Sequence, residues 1–247
     1  MDIGFKTDAG YRRVKNEDAL KILPEKNFFM IADGVGGNRS GEVASSATLD
    51  LMEAYLDNHP IEKEEGSERI FRYFQEAVSF VNSSILDLSE THKEYQGMAT
   101  TLVFVYLSHR ILYAANVGDS RVYFIHNNEI HQITEDHTYV NNLIKMGAIS
   151  RDEAENHKRK NVITRAIGDS AYNHPDCYNI YVEEDDKILI CSDGLYEEVS
   201  EEEMLEAFNE AKSMQECADR LVLTANEHGG SDNISVICVS LGEGDHE

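Results

Sequence analysis

The central part of the chain alternates between short strand-like runs and short turns, and this pattern restricts the fold more than any other feature. Runs rich in Val, Ile, Phe and Tyr, residues that favour strands, cover 100–107, 111–116 and 121–125. Gaps such as 108–110, and 127–128 further on, are long enough only for tight turns, which join antiparallel neighbours. The chain must therefore build an antiparallel sheet whose apolar face needs a cover.

Amphipathic helices on either side of these strands supply that cover. Positions 41–58 and 67–89 carry apolar residues at steps of three and four, as in a helix with one buried side. Two S-x-x-E sequences, at 200–203 and 213–216, have the form of capping boxes and predict two more helix starts. Further strands are predicted at 2–6, 28–32, 188–191 and 234–241. We therefore predict an α+β fold in a single domain over 1–247: a four-layer α/β/β/α sandwich of two mainly antiparallel sheets flanked by helix pairs.

The charge of the chain excludes several functions. Its 46 Asp and Glu against 22 Lys and Arg give a formal net charge of −24, which opposes binding to nucleic acid or to an anionic membrane surface. The longest apolar run, 102–107, is far shorter than the roughly 20 residues that span a bilayer, and the N-terminus has no signal-peptide pattern. Cys191 and Cys238 lie in apolar runs and the chain has no C-x-x-C pair, which is typical of buried thiols in a reducing compartment. We expect a cytoplasmic protein without membrane insertion.

Several acidic residues stand where predicted strands end. Asp33-Gly34 follows the apolar run at 28–32, and Asp193-Gly194 follows the run at 188–192. Each pair alone could be an ordinary Asp-Gly turn. Three other segments rich in oxygen ligands also lie at strand ends: 16–18 (NED), 118–120 (GDS) and 231–233 (SDN).

If those strand ends converge, four or five carboxylates meet, and their repulsion requires bound cations. An all-oxygen set without paired histidines or cysteines favours Mg²⁺ or Mn²⁺ over zinc. Two such ions about 3.5–4 Å apart can activate water and offset the charge of a phosphoryl group. Arg13, five residues before Asp18, could clamp that group through its guanidinium.

Eight short stretches carry these residues and their neighbours. They are 7–18 (TDAGYRRVKNED), 31–37 (IADGVGG), 97–101 (GMATT), 116–121 (NVGDSR), 134–138 (TEDHT), 163–168 (ITRAIG), 191–195 (CSDGL) and 231–234 (SDNI). As a set they resemble the metal-dependent protein serine/threonine phosphatases of the protein phosphatase 2C family, in their compact bacterial form. Each stretch alone is a weak match, but eight in the family's order over nearly the whole chain are very specific. The resemblance implies the same four-layer fold.

The resemblance also implies two core metal ions, Mn²⁺ or Mg²⁺, and a weaker third ion of the kind described for bacterial members. Asp33 would bridge the core ions, with the Gly34 carbonyl on one of them. Asp193 and Asp232 would hold the other. Asp119, together with Asp193, would bind the third.

Other roles implied by the resemblance concern water and substrate. Glu17 and Asp18 would act mostly through metal-bound water, and Arg13 would bind the substrate phosphate. The stretch 137–165 would be a flap beside the active site that influences substrate choice. Its basic segment 157–160 (HKRK) could meet a phosphorylated or acidic substrate, or be a solvated loop.

One departure from the family concerns the general acid. Animal relatives carry a histidine after the first glycine of the 33–37 segment, where this chain has Val35. A serine or threonine alkoxide is a poor leaving group, so proton delivery is worth about 10²–10⁴-fold in rate. Water on the third metal is our first expectation for the donor and His137 is the second.

The resulting prediction is an enzyme that hydrolyses phosphoserine and phosphothreonine on proteins by direct attack of metal-activated water. No C-x₅-R sequence supports a thiol phosphoenzyme route. A binding module of the same fold is the alternative, opposed by the complete set of carboxylates, and an unrelated acidic cation buffer is opposed by the lack of a D-x-D-x-D-G loop. We expect a monomer, opposed by a cognate serine/threonine kinase.

Overall fold

Two antiparallel sheets form the middle of the molecule. In the computed structural model, which describes residues 1–35, 40–61, 66–171 and 174–242, the strands are β1 (Asp2–Asp8), β2 (Asp18–Leu23), β3 (Phe28–Val35), β4 (Ala99–Thr100), β5 (Leu102–Ser108), β6 (Ile111–Val117), β7 (Arg121–His126), β8 (Glu129–Gln132), β9 (Asp176–Tyr181), β10 (Lys187–Cys191) and β11 (Ile234–Ser240). One sheet has the order β1-β11-β10-β7-β8, and the other has the order β2-β3-β5-β6-β9 with β4 paired to β3.

Helices cover the outer face of each sheet. The α-helices of the described residues are α1 (Gly41–Asn58), α2 (Ser67–Thr91), α3 (Tyr139–Lys145), α4 (Arg151–Glu155), α5 (Asp193–Tyr196), α6 (Glu201–Glu210) and α7 (Met214–His228). Of these, α3 and α4 lie within the segment 137–165. The pair α1 and α2 packs on the β2-to-β9 sheet, whereas α5, α6 and α7 pack on the β1-to-β8 sheet. No helix in the described part of the chain combines the length and the apolar composition that crossing a bilayer requires.

Side-chain alternation along single strands explains the four layers. On β5, Phe104 points into the core under α1 and α2, whereas Val103 and Val105 point into the core between the sheets. On β11, Cys238 faces the core under α7 and Val239 faces the core between the sheets. Because both faces of each central strand are buried, the strands read as continuous apolar runs. The predicted α/β/β/α sandwich is confirmed.

Local signals for helices and turns are mostly confirmed. Ser200 and Glu203 form the predicted capping box at the start of α6. At α7, Ser213 accepts from the N–H of Glu216, but the Glu216 carboxylate accepts from Lys212 N–H, so the reciprocal half of the predicted box is shifted by one residue. The predicted turn at 127–128 has both asparagines at positive φ, 50° and 64°, the backbone of a two-residue hairpin.

Three strands, β2, β8 and β9, were not predicted, and all three lie at the ends of their sheets. Edge strands face solvent on one side, so their sequences mix polar and apolar residues without a clear period. In β2, most side chains are only half-buried. Composition therefore gave no strand signal there, although β2 carries part of the site described below.

Gly4 provides a direct test of how β1 packs on α7. A Cβ atom added at Gly4 would lie 2.0 Å from the backbone carbonyl of Met214. We expect Gly4→Ala to lower the free energy of unfolding by about 3 kcal/mol, because rigid backbone must move. The matched control is Gly66→Ala, where an added Cβ meets nothing within 4 Å, with an expected change within about 0.5 kcal/mol. Urea denaturation measures both, and equal midpoints would contradict this account of the packing.

Candidate active site

Five acidic residues lie where strands from both sheets end, and we call Asp18, Asp33, Asp119, Asp193 and Asp232 the carboxylate cluster. Asp18 begins β2 and stands opposite Asp33 of β3 in the strand register. Asp119 follows β6, Asp193 follows β10, and Asp232 directly precedes β11. The two packed sheets thus bring residues distant in sequence to one edge.

The charges of the cluster act strongly on one another. Burial first, and then the charges of the four other members, raise the pKa of Asp33 well above its usual range. Burial first, and then the charges of Asp119, Asp232, Asp18 and Glu197, raise the pKa of Asp193 well above its usual range. Burial raises the pKa of Asp18 to about 6. Burial, with the charge of Asp136, raises the pKa of Asp119 to about 7. The ionised cluster is therefore costly unless positive charge is added.

Asp33 is fixed through its backbone by the β4–β5 segment. Its N–H donates to Thr101 Oγ1 at 2.9 Å. Its carbonyl accepts from Thr101 N–H at 2.8 Å and from Thr100 Oγ1 at 2.8 Å. With its main chain held at three points, the carboxylate of Asp33 has a defined position at the end of β3.

A serine between the sheets holds Asp18. Ser192 Oγ donates to Asp18 Oδ2 at 2.7 Å and accepts from Ser235 N–H at 3.0 Å. Asp18 belongs to one sheet, whereas Ser192 and Ser235 belong to the end of the other. This bond therefore ties the two sheets together at the cluster.

Asn233 anchors the loop that carries Arg13. Its Nδ2 donates to the carbonyls of Ala9 and Lys15, both at 2.9 Å, and its Oδ1 accepts from Glu17 N–H at 2.8 Å. One buried amide therefore fixes both ends of the turn between β1 and β2. Because Asn233 adjoins Asp232, the loop is held against the cluster.

Arg13 reaches the cluster through Asp232. Its Nη2 lies 2.6 Å from Asp232 Oδ2, and 52% of its side chain is exposed. Glu17 lies further to the side, facing the start of α1: burial and the nearby charge of Glu42 raise its pKa. The structure thus places Arg13 beside the predicted ligands with room to contact a solute.

Two glycines permit the close approach of backbones under the cluster. A Cβ added at Gly194 would lie 2.0 Å from the carbonyl oxygen of Asn233, and one at Gly34 would lie 2.4 Å from the carbonyl oxygen of Gly41. Both glycines follow the aspartates that the sequence singled out. Both residues lack a side chain, which lets the strand ends approach each other closely.

The contacts of His137 oppose its predicted role as a proton donor. The ring is buried, its Nδ1 accepts from Gly118 N–H at 3.1 Å, and its Nε2 lies 3.0 Å from Asp176 Oδ2. Because Nδ1 accepts, Nε2 carries the proton and donates it to Asp176. Burial also lowers the pKa of His137. Both nitrogens are used within the protein, so His137 acts as a packing residue at the base of the flap.

The flap segment 137–165 is closed at its base, and its basic segment is held close to that base. Thr138 and Ile163 form an isolated antiparallel bridge. In the basic segment 157–160, Arg159 stacks over the ring of Tyr139 at 3.8 Å. Lys160 Nζ lies 3.4 Å from Glu197 Oε1, at the end of α5, which Asp193 begins. His157 Nδ1 also accepts from Arg159 N–H at 3.1 Å, so three of the four residues of the basic segment have side chains in internal contacts.

Comparison with known proteins agrees with this arrangement. The sequence pattern of a family described as Protein phosphatase 2C matches residues 10–234. The chain belongs to the protein phosphatase 2C family. The predicted family and the predicted enzyme class, a phosphoprotein phosphatase, are therefore confirmed.

Relatives in this family match over nearly their full length. The chain is 37% identical over 243 residues to the serine/threonine phosphatase stp of Listeria monocytogenes serotype 4b, covering 97% of this chain and 95% of that protein. It is 35% identical to the protein phosphatase PhpP of Streptococcus pneumoniae, with complete coverage of both. The crystal structure of the Mycobacterium tuberculosis serine/threonine phosphatase PstP/Ppp superposes with a TM-score of 0.85 at 33% identity, covering 98% of each chain.

The cluster suits the divalent ions on which protein phosphatase 2C enzymes depend. Asp18 Oδ1 and Asp193 Oδ1 are buried without a hydrogen-bond partner, and such atoms call for a cation or a proton. Among the residues that the structure describes, no three histidine, cysteine or acidic side chains are already grouped as a coordination shell. Donor type, burial and unpartnered oxygens fit hard cations.

Sequence reasoning missed the residues that position the cluster. Thr101, Ser192 and Asn233 all lie inside the quoted motifs, yet no role was predicted for them. Their polar side chains next to strand-ending aspartates were an available signal, since a buried hydroxyl or amide needs a partner. Residues 36–37 of the quoted 31–37 stretch lie outside the described residues.

The raised pKa values predict how stability depends on pH without metal. A carboxyl whose pKa is higher in the folded state binds more protons there, so unfolding becomes easier as pH rises from about 4 to about 7. We expect the melting temperature in EDTA to fall across this range, and Mn²⁺ to raise it most at the upper end.

A variant pair separates the cluster from the overall charge of the protein. Asp119→Asn should flatten this pH dependence, because the pKa of Asp119 lies near 7. Asp219→Asn removes the same charge at an exposed ion pair with Lys6 and should leave the slope unchanged. Differential scanning fluorimetry checks both, and identical slopes for the two variants would count against the cluster as the source.

Proposed function

We propose that this protein phosphatase hydrolyses phosphoserine and phosphothreonine on proteins, using two core Mn²⁺ or Mg²⁺ ions and a weaker third ion at the carboxylate cluster. The observation that carries the proposal is the gathering of buried, mutually repelling carboxylates at one edge of both sheets. The serine/threonine phosphatases among the relatives support the substrate class. The structural neighbour PstP, with a TM-score of 0.84, was determined in complex with 2 manganese ions, which supports the core pair.

The proposed ligands are those that the family resemblance implies, and the positions of these residues near the strand ends support them. Asp33 would be shared by the core ions, with the Gly34 carbonyl on one and Asp193 and Asp232 on the other. Asp119 with Asp193 would hold the third. Glu17 and Asp18 would act mainly through water. When bound, such ions lower the pKa of water and offset the charge of the phosphoryl oxygens.

The chain's own groups do the positioning. Arg13 is half-exposed beside Asp232 and can present two N–H groups to a phosphate, replacing or sharing its present partner. Ser192 and Asn233 keep Asp18 and the Arg13 loop in place while substrate binds and leaves. A fixed guanidinium next to the cluster orients the phosphoryl group for attack by water from the opposite side.

Neither Val35 nor His137 can supply the proton that the leaving alkoxide needs. Val35 has no proton to give, and His137 spends both ring nitrogens on Gly118 and Asp176. We therefore keep the first expectation: the third ion, which Asp119 and Asp193 would hold, would supply this proton through its water. Asp119 is held for this by the Tyr196 hydroxyl, which donates to its carbonyl at 3.1 Å.

The cellular setting is part of the same proposal. Cys191, Cys217 and Cys238 are free and buried, which suits a reducing cytoplasm. We propose that the protein acts there as a monomer and opposes a serine/threonine kinase. Co-expression with such a kinase, followed by phosphoprotein analysis, would test the pairing.

Asp193→Asn tests the cluster as the catalytic centre. We expect Mn²⁺-dependent release of phosphate from a phosphothreonine peptide to fall by about a hundredfold or more, because a central ligand is lost. Asp219→Asn, which removes an exposed carboxylate bonded to Lys6, is the matched control and should keep full activity. Phosphate release measured with malachite green, with and without EDTA, decides this. Comparable turnover by both variants would overturn the proposal.

Arg13→Ala tests the phosphate clamp. Loss of the guanidinium should lower kcat/KM by about ten- to a hundredfold, with Arg13→Lys recovering only part of it, because lysine is not bidentate. The neighbouring Arg12→Ala is the control. Arg12 anchors the loop by its backbone N–H, which donates to Gly230 O at 3.0 Å, so its side chain can be removed without freeing the loop. Steady-state kinetics of the three variants measure the effect, and equal losses at positions 12 and 13 would rule out a specific clamp.

A further inference from the structure

A cleft of about 480 Å³ opens beside the carboxylate cluster and has no role in the chemistry described above. Its apolar wall is formed by Val35, Leu86, Ala99, Ile163 and Ala166. Four of these, all except Ala166, are only partly buried, so apolar surface faces the cleft. Apolar surface left open to water in this way is stabilised when an apolar group covers it.

The walls of the cleft are held by backbone hydrogen bonds that continue from the cluster. Val35 stands opposite Ala99 in the β3–β4 ladder, one step beyond the pair formed by Gly34 and Thr100. Thr100 also pairs with Ile167, with N–H to carbonyl distances of 3.0 and 2.8 Å. The cleft is therefore preformed, and it shares a strand with Asp33.

Distance along that strand relates the cleft to a bound substrate. Val35 is two residues beyond Asp33, which corresponds to about 7 Å in a strand. An extended substrate advances about 3.3–3.6 Å per residue. A polypeptide that runs alongside β3 with its phosphorylated residue at the cluster would therefore bring a residue about two positions away to the cleft.

The charged groups at the cleft already have partners. Arg165 Nη1 donates to Asp176 Oδ1 at 2.7 Å. Asp169 Oδ1 accepts from Ala171 N–H at 2.8 Å. Because the charge of Arg165 is paired with Asp176, the cleft offers little to an acidic side chain, and its apolar wall favours an aliphatic one.

We propose that this cleft is a specificity subsite for an aliphatic side chain of the phosphoprotein substrate, about two residues from the phosphorylated serine or threonine. The inference rests on the proposed function, because it takes the carboxylate cluster as the place where the phosphate binds. It assigns the cleft to substrate selection and leaves hydrolysis to the cluster.

A peptide panel tests the subsite on the unaltered protein. Phosphothreonine peptides that differ only in Leu, Ala or Glu at each of the three positions on either side are compared by kcat/KM with Mn²⁺, alongside p-nitrophenyl phosphate. Leu should be preferred over Ala by about tenfold at one position, because of the extra apolar surface buried, and Glu should be disfavoured. Equal kcat/KM across the panel would overturn the subsite and leave the proposed function intact. Failure to hydrolyse every peptide and p-nitrophenyl phosphate would instead overturn the proposed function.

Variants of the cleft test whether the preference for Leu arises there. Ala99→Leu should fill the cleft and Leu86→Asp should make its wall polar, and each should abolish the preference for Leu while retaining activity on p-nitrophenyl phosphate. Leu223→Asp is the matched control, since Leu223 lies exposed on α7 at 53% accessibility, and it should keep the preference. If the unaltered protein prefers Leu but both cleft variants keep that preference unchanged, the assignment of the subsite to this cleft is overturned.

Discussion

The concentration of negative charge at one edge of two packed sheets is the constraint on which the rest of this structure depends. Burying several carboxylates together costs free energy, and the raised pKa values of Asp33 and Asp193 express that cost. The surrounding contacts hold the residues in place despite this cost. Ser192 joins the sheets at Asp18, and Asn233 binds the loop that brings Arg13 to Asp232. Much of the polar structure at this edge therefore holds side chains of like charge near one another, in an arrangement that suits bound cations.

The layers of the fold could be predicted because central strands and long helices have strong periodic signals. The stripe on α2 that includes Phe74 and Val81 is fully buried, and β5 is buried on both faces. Of the edge strands, β1 was predicted, but β2, β8 and β9 were not, since their mixed sequences become strands only by pairing with a neighbour. Interior periodicity is a property of the sequence, whereas an edge strand depends on the sheet that it joins.

The candidate site could be predicted in part for a similar reason. Aspartate followed by glycine after an apolar run drew attention to Asp33 and Asp193 from sequence alone, although β3 continues past Asp33 to Val35 instead of ending at residue 32. The state of His137 could not be inferred in this way. Its engagement depends on Asp176, which is 39 residues away and lies on the unpredicted strand β9. The acidic residues of the candidate site could be selected from the sequence, but which side chains remain free of internal partners depended on contacts made only in the folded chain.

The stretch 163–167, at the end of the flap segment, has two attachments. Ile163 closes the base of the flap through its bridge to Thr138 and also lines the cleft, while Ile167 is hydrogen-bonded to the β4 strand that pairs with β3. A change in flap length or sequence is thus transmitted to the shape of the cleft before it reaches any aspartate. Substitutions confined to this stretch can therefore reshape the cleft without touching any side chain of the carboxylate cluster.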